Sequence, residues 1–192
     1  LGMVVPLATV LGLIARPLVL LWVGPQFADS VNVIYILSIV VALRVGNATS
    51  SVILKGSDLH KFLAFSNLSM AVGNLVLSIL LVRAYGLIGV AIGTLIPMIV
   101  MAMFVVFPRA CRRVGLSVWT VVRRSVWPAT WPAMVMAAFV LLTRGRIQGS
   151  WAFLFLQSIA AALIYSALFL LFAISRDERD WYFNKVKEVF RR

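Results

Sequence analysis

The chain has 192 residues, of which 62% are hydrophobic, and its mean hydropathy is +1.03. Soluble domains are only about 45–50% apolar, so this composition excludes an ordinary soluble fold. The net charge of +12 would suggest nucleic acid in a soluble chain, but most basic residues lie at the ends of apolar runs, where anionic membrane lipids are the expected partner and nucleic acid is not.

Six long apolar runs predict six membrane-spanning helices. They cover about residues 3–23, 31–54, 62–82, 87–107, 126–143 and 151–174. At ~1.5 Å per residue, each is about long enough to cross a ~30 Å hydrocarbon core. Because the pattern recurs to the end of the chain, we expect the first run to be a membrane span and not a removable signal peptide. We therefore expect an all-α, polytopic membrane helix bundle over residues 1–175.

The positive charges between the runs predict an orientation. Alternate gaps, with the tail, carry thirteen Lys and Arg residues on one side and three on the other. The positive-inside rule makes the richer side cytoplasmic, so both termini are expected there. Residues 108–125 have apolar residues at helical spacing beside Arg123 and Arg124 and predict an interfacial helix. Residues 176–192 predict an amphipathic, basic cytoplasmic tail.

Arg44 lies about halfway along the second run. A charged side chain at this depth costs roughly several kcal/mol, and such residues usually have a function. Steps of three and four residues from Arg44 reach Asn47, Ser51 and Lys55, so one face of this helix is polar up to its cytoplasmic end. We expect Arg44, Asn47 and Ser51 to line a cavity.

The third run has a second polar face. Asn67, Asn74 and Ser78 share it, and such residues either bond neighbouring helices together or line a wet cavity. We expect Asn67 and Asn74 to face the cavity beside Arg44. Arg16 in the first run is a further candidate, although its side chain could also extend to the external surface.

Several chemistries are disfavoured by what the runs lack. No Asp, Glu or His lies within them, so the sequence offers no carboxylate pair, no metal-ligand cluster and no evident cation-coupling site. The one histidine, His60, lies in a short cytoplasmic turn, and the one cysteine, Cys111, cannot form an intramolecular disulfide. We expect no enzyme, no cofactor and no metal. A basic cavity instead suits an anionic substrate such as a phosphate group.

Small residues and a proline mark the fourth run. Gly89 and Gly93 form a G-x-x-x-G pattern that permits close helix packing, and Pro97 is expected to bend the helix.

Two motifs resemble a known family. They are Pro17-Leu-Val-Leu-Leu-Trp-Val-Gly-Pro-Gln-Phe-Ala28 and Leu81-Val-Arg-Ala-Tyr-Gly-Leu-Ile-Gly-Val-Ala-Ile-Gly-Thr94. Both are similar to segments of the polysaccharide transporter, or oligosaccharide flippase, family: an apolar helix that ends in a Leu-Trp-x-Gly turn, and a helix followed by a Tyr-Gly turn and a small-residue helix entry. Ile53-Leu-Lys-Gly56 and Asn74 lie where related segments occur, and the resemblance covers about residues 17–106.

The resemblance implies two helical lobes around a central cavity that opens alternately to either side of the bacterial inner membrane. It implies translocation of an undecaprenyl-pyrophosphate-linked glycan, with Arg44 meeting the pyrophosphate. Family members have 12 to 14 helices, so the resemblance identifies this chain with the C-terminal lobe of a longer protein, and an N-terminal lobe is an expected partner.

Two alternatives stay open from the sequence. One is a multidrug and toxin extrusion-type efflux antiporter of the same superfamily, which would need acidic residues elsewhere. The other is a non-transporting membrane protein that anchors glycan-assembly enzymes through its basic cytoplasmic gap and tail.

Overall fold

The structure is a computed structural model that describes residues 4–143, 151–169 and 171. Over these residues it is helical between short turns, which confirms the predicted all-α fold. Within the described residues, five continuous helical stretches are long and apolar enough to cross a membrane, and the longest of them is broken into two helices. The predicted tail, residues 176–192, lies outside the described residues.

The helices follow the apolar runs in order. α1 is Val4–Trp22 and α2 is Ser30–Gly56, with a 3-10 turn, Pro25–Phe27, between them. The longest helical stretch runs from His60 to Arg113 but is broken at Gly86, and we name its parts α3 (residues 60–85) and α4 (87–113). α5 is Val118–Thr143 and α6 is Trp151–Leu168.

The chain reverses direction at Gly86. Its φ of 57° and ψ of −136° lie outside the helical region, and a positive φ is accessible mainly to glycine. Beyond it, α4 packs back along α3: Gly89 lies against Leu81, Gly93 against Ser78 and Pro97 against Gly73. A straight helix of this length would be about 80 Å long, far more than a ~30 Å hydrocarbon core. The hairpin gives two spans of ordinary length instead.

The interfacial helix expected at residues 108–125 is not a separate element. Phe107–Arg113 continues α4, and Val118–Val121 is the beginning of α5, so only a short turn lies between them. Apolar residues recur at the same spacing at the end of a membrane-spanning helix and in a separate amphipathic helix. The sequence pattern therefore did not distinguish these two structures.

The apolar core is divided among the helix contacts. α1, α5 and α6 meet around Met136, Val140 and Tyr165, and α1 meets α2 at Ala15, Val19 and Val31. α2, α3 and α4 pack at two levels, around Val40, Met98 and Ala102 and around Leu54, Leu63, Val106 and Ala110.

Many large apolar side chains point outward. Leu142 is 85% exposed, Phe104 is 74% exposed and Phe65 is 71% exposed. In water such a surface would cause aggregation, whereas hydrocarbon is its natural solvent. The outward apolar surface and the long apolar helices of the described residues identify a membrane protein.

Candidate functional site

A polar cavity of about 220 Å³ lies between α2, α3 and α4. Its polar lining comes from Arg44, Asn47 and Ser51 of α2 and from Ser66 and Asn67 of α3. The structure therefore brings together four of the six side chains that the sequence singled out. We call this site the polar cavity.

Arg44 is the charged group of the polar cavity. Its side chain is exposed, and among the residues that the structure describes it has no ion-pair partner. The ion pair that is found there joins His60 Nε2 to Asp58 Oδ1 at 3.6 Å, in the turn between α2 and α3. An arginine at membrane depth needs water or an anion to offset its desolvation. Arg44 therefore remains available to an anionic ligand.

Asn47 lies one turn beyond Arg44 on the same helix face. Its Oδ1 atom is buried and has no hydrogen-bond partner among the described residues. Its backbone carbonyl accepts a hydrogen bond from Ser51 Oγ at 3.2 Å. Because an unsatisfied buried acceptor costs free energy, the Asn47 amide calls for a donor, either water or a ligand.

Ser66 and Asn67 form the α3 side of the polar cavity. Ser66 is buried and its Oγ donates to the backbone carbonyl of Phe62 at 2.8 Å, so its hydroxyl proton is already used. Asn67 is exposed. Its amide can both donate and accept, so it can bond to hydroxyl or phosphate oxygens.

Asn74 and Arg16 are not part of the polar cavity lining. Asn74 lies in the contact between α3 and α4, where its Oδ1 is 2.9 Å from Ser78 Oγ and 3.3 Å from Thr94 Oγ1. Arg16 is exposed on α1. The polar face of α3 thus divides along its length: Asn67 meets the polar cavity, while Asn74 meets α4.

The apolar half of the lining was not foreseen from the sequence. It consists of Met70, Met98, Met101, Ala102 and Val106. One polar residue of the lining, Ser66, was also not predicted. Methionines inside an apolar run carry no signal that separates a cavity wall from a core. Ser66 could have been found as the neighbour of Asn67.

The α4 wall has an irregular backbone. Pro97 is buried inside the helix, and residues Val100–Val106 adopt the wider π-helical register, in which the Phe107 N–H bonds to the Ala102 carbonyl. Proline removes one backbone donor, and π-helical stretches are frequent at functional sites. Met101, Ala102 and Val106 come from this π-helical stretch.

The electrostatic character of the polar cavity is positive. The acidic residues of the described chain are Asp29, next to the N-terminus of α2, and Asp58, in the turn after α2. Neither lines the polar cavity. Over the same residues, no group of His, Cys, Asp and Glu could hold a metal ion. The arrangement is suited to binding an anion that also carries hydrogen-bonding groups.

No family model matches the chain, and neither the curated proteins nor the solved structures include one that matches it.

Proposed function

We propose that this chain is part of a membrane transporter that moves a lipid-linked oligosaccharide across the bacterial inner membrane by alternating access. The observation that carries the proposal is the polar cavity, where Arg44 lies beside Asn47, Ser51 and Asn67 and where no acidic residue of the described part of the chain lines the wall. The resemblance of the two sequence motifs to oligosaccharide flippases supplies the substrate class, an undecaprenyl-pyrophosphate-linked glycan.

Arg44 is the residue that binds the diphosphate in this proposal. A guanidinium group forms paired hydrogen bonds with phosphate oxygens and keeps its charge at any accessible pH. Asn47 and Asn67 bond to hydroxyl or amide groups of the adjacent sugar. The apolar remainder of each lipid stays in the bilayer, so the protein has to shield only the polar headgroup during its passage.

The second lobe of the transporter, with which these helices would enclose the headgroup, is the N-terminal part implied by the resemblance. Pro97 and the π-helical stretch after it place a weakened helix segment in the cavity wall. Such a segment can bend at lower cost than a regular helix, which suits a cavity that opens alternately to either side.

The test is substitution of Arg44 in the full-length protein, with glycan export and protein level measured together. Arg44→Ala should abolish most export at an unchanged protein level, and Arg44→Lys should retain part of it because the charge remains but the paired bonds are lost. Arg83→Ala, at the far end of α3, is the matched control and should export normally.

Three results would contradict the proposal in different ways. Normal glycan export by the Arg44→Ala variant would show that Arg44 is not needed to bind the diphosphate. Export of a dye or drug in place of glycan would favour an efflux antiporter. Loss of function on deletion of residues 177–192, with every cavity variant active, would favour the anchoring protein.

A further inference from the structure

A second feature, at one end of the bundle, is a dense group of arginines around the α4–α5 turn. They are Arg109, Arg112, Arg113, Arg123 and Arg124, and all five side chains are exposed. No acidic residue occurs between positions 107 and 126. The repulsion among these charges therefore has to be offset by an anionic partner or by screening.

The turn has one arginine pair on each side of it. It is ordered by backbone hydrogen bonds from Gly115 N to the Arg112 carbonyl at 3.2 Å and from Leu116 N to the Cys111 carbonyl at 3.0 Å. Gly115 has a φ of +71°, which permits this helix ending. Arg112 and Arg113 thus end α4, while Arg123 and Arg124 lie in the first turns of α5.

Apolar side chains lie exposed between the two pairs. Trp119 is 71% exposed, Val114 51% and Leu116 48%. Tryptophan beside arginine at a helix end is typical of the membrane interface, where the ring lies among headgroups and the guanidinium groups reach phosphates. The partner that fits an apolar surface flanked by arginines is a phospholipid rather than a soluble acidic protein.

The residue type narrows the choice of lipid. All basic residues of this surface are arginines, whose guanidinium groups form paired hydrogen bonds with phosphate oxygens. The neighbouring ends of α2 and α3 instead carry lysines, Lys55 and Lys61. Two arginine pairs separated by an ordered turn offer two phosphate positions, and a lipid with a single phosphate fills one of them.

We propose that the α4–α5 turn, with Arg112, Arg113, Arg123 and Arg124, is a binding site for a phospholipid that carries two phosphates on one headgroup, as cardiolipin does. Trp119 and Leu116 contact its glycerol and upper acyl carbons. Arg109 is directed differently, since its guanidinium carbon lies 4.7 Å from the centre of the Phe62 ring, and it holds α4 against α3.

The test uses the purified full-length protein in nanodiscs of phosphatidylcholine with either cardiolipin or phosphatidylglycerol at equal total charge. Retained lipid is counted by native mass spectrometry after release from the nanodisc. The wild type should retain cardiolipin at least about tenfold more than phosphatidylglycerol, because two phosphates are bound together. Changing the four turn arginines to Gln should remove that preference, and changing them to Lys should reduce it while preserving the charge.

Lys55→Gln/Lys61→Gln is the matched control, because it removes basic residues from the same end of the bundle and should leave cardiolipin retention unchanged. Equal retention of the two lipids by the wild type, or an equal loss in the lysine control, would overturn the site in favour of general charge attraction. Retention that arises only after Asp177, Glu178, Asp180 and Glu188 are neutralised would also overturn it, since the chain's own carboxylates would then be the partner. Circular dichroism of each variant checks that the helices are retained.

Discussion

Asn74 Oδ1 in α3 lies 3.3 Å from Thr94 Oγ1 in α4, and Ser78 Oγ lies 2.9 Å from the same oxygen. Both hydroxyls also lie near the Val90 carbonyl, Thr94 Oγ1 at 3.1 Å and Ser78 Oγ at 3.5 Å. One amide thus links two helices that the chain connects only through the Gly86 turn. Asn74 is half-buried in this contact and holds the hairpin together.

Asn74→Ala should lower stability without removing a cavity group. Interhelical hydrogen bonds in membranes average about 0.6 kcal/mol, and both hydroxyls can turn to the Val90 carbonyl, so we expect a small fall in the unfolding temperature in detergent. Asn67→Ala is the matched control, because Asn67 is exposed and lines the polar cavity. It should unfold like the wild type but export less glycan. The opposite pattern would show that Asn74 is the ligand-binding residue.

Gly93→Ala should strain the α3–α4 hairpin. A Cβ atom at this position would lie 2.6 Å from Ser78 Oγ and 2.7 Å from the Ser78 backbone nitrogen. Because backbone atoms cannot rotate away, the helices must separate, at a cost of about 1–3 kcal/mol. Gly56→Ala, where an added Cβ meets nothing within 4 Å, is the control and should unfold like the wild type or slightly above it. Equal unfolding temperatures for the two variants would contradict this helix contact.

The sequence predicted the helices well because hydrophobic length reports directly on membrane spans. The break between α3 and α4 was also predicted, from the gap between the third and fourth apolar runs, and the family resemblance implied a Tyr-Gly turn there; the structure has the break at Gly86. The prediction of a separate interfacial helix was wrong, because helical spacing does not show where one helix ends and the next begins. Helical spacing at residues 118–122 continues directly into α5.

The polar cavity was predicted only in part. Arg44, Asn47 and Ser51 share a face because helix geometry alone relates them. Asn67 and Asn74 share a face of α3 as well, but they lie about 10 Å apart along its axis. Near Asn74 the small residues Gly73 and Gly93 let α3 and α4 pack closely. The distance between two helices depends on tertiary packing, which the spacing of residues along one helix does not show. The spacing of polar residues therefore predicted which face of α3 is polar, but not whether each residue on it contacts the polar cavity or α4.

Tyr165→Phe should weaken the contact between α5 and α6. The Tyr165 hydroxyl donates to the Ala129 carbonyl at 3.2 Å, and the side chain is only 3% exposed. Loss of the hydroxyl removes one buried interhelical hydrogen bond, worth about 0.6 kcal/mol on average in membranes, while the ring still packs against Phe169. Tyr85→Phe is the control, because Tyr85 is 62% exposed. Thermal unfolding in detergent should separate the two variants, and an unchanged Tyr165→Phe would mean that this bond adds nothing to stability.

Cys111 provides a probe of the end of α4, because it is the one cysteine in the chain. Its side chain is 5% exposed, although the neighbouring Arg109, Arg112 and Arg113 are exposed. A buried thiol reacts only when the structure opens locally, so labelling by a small maleimide should be slow. Cys111→Ser/Ser125→Cys moves the thiol to an exposed position and should label at least about tenfold faster. Equal rates would mean that α4 does not pack against α2 and α3 at this level.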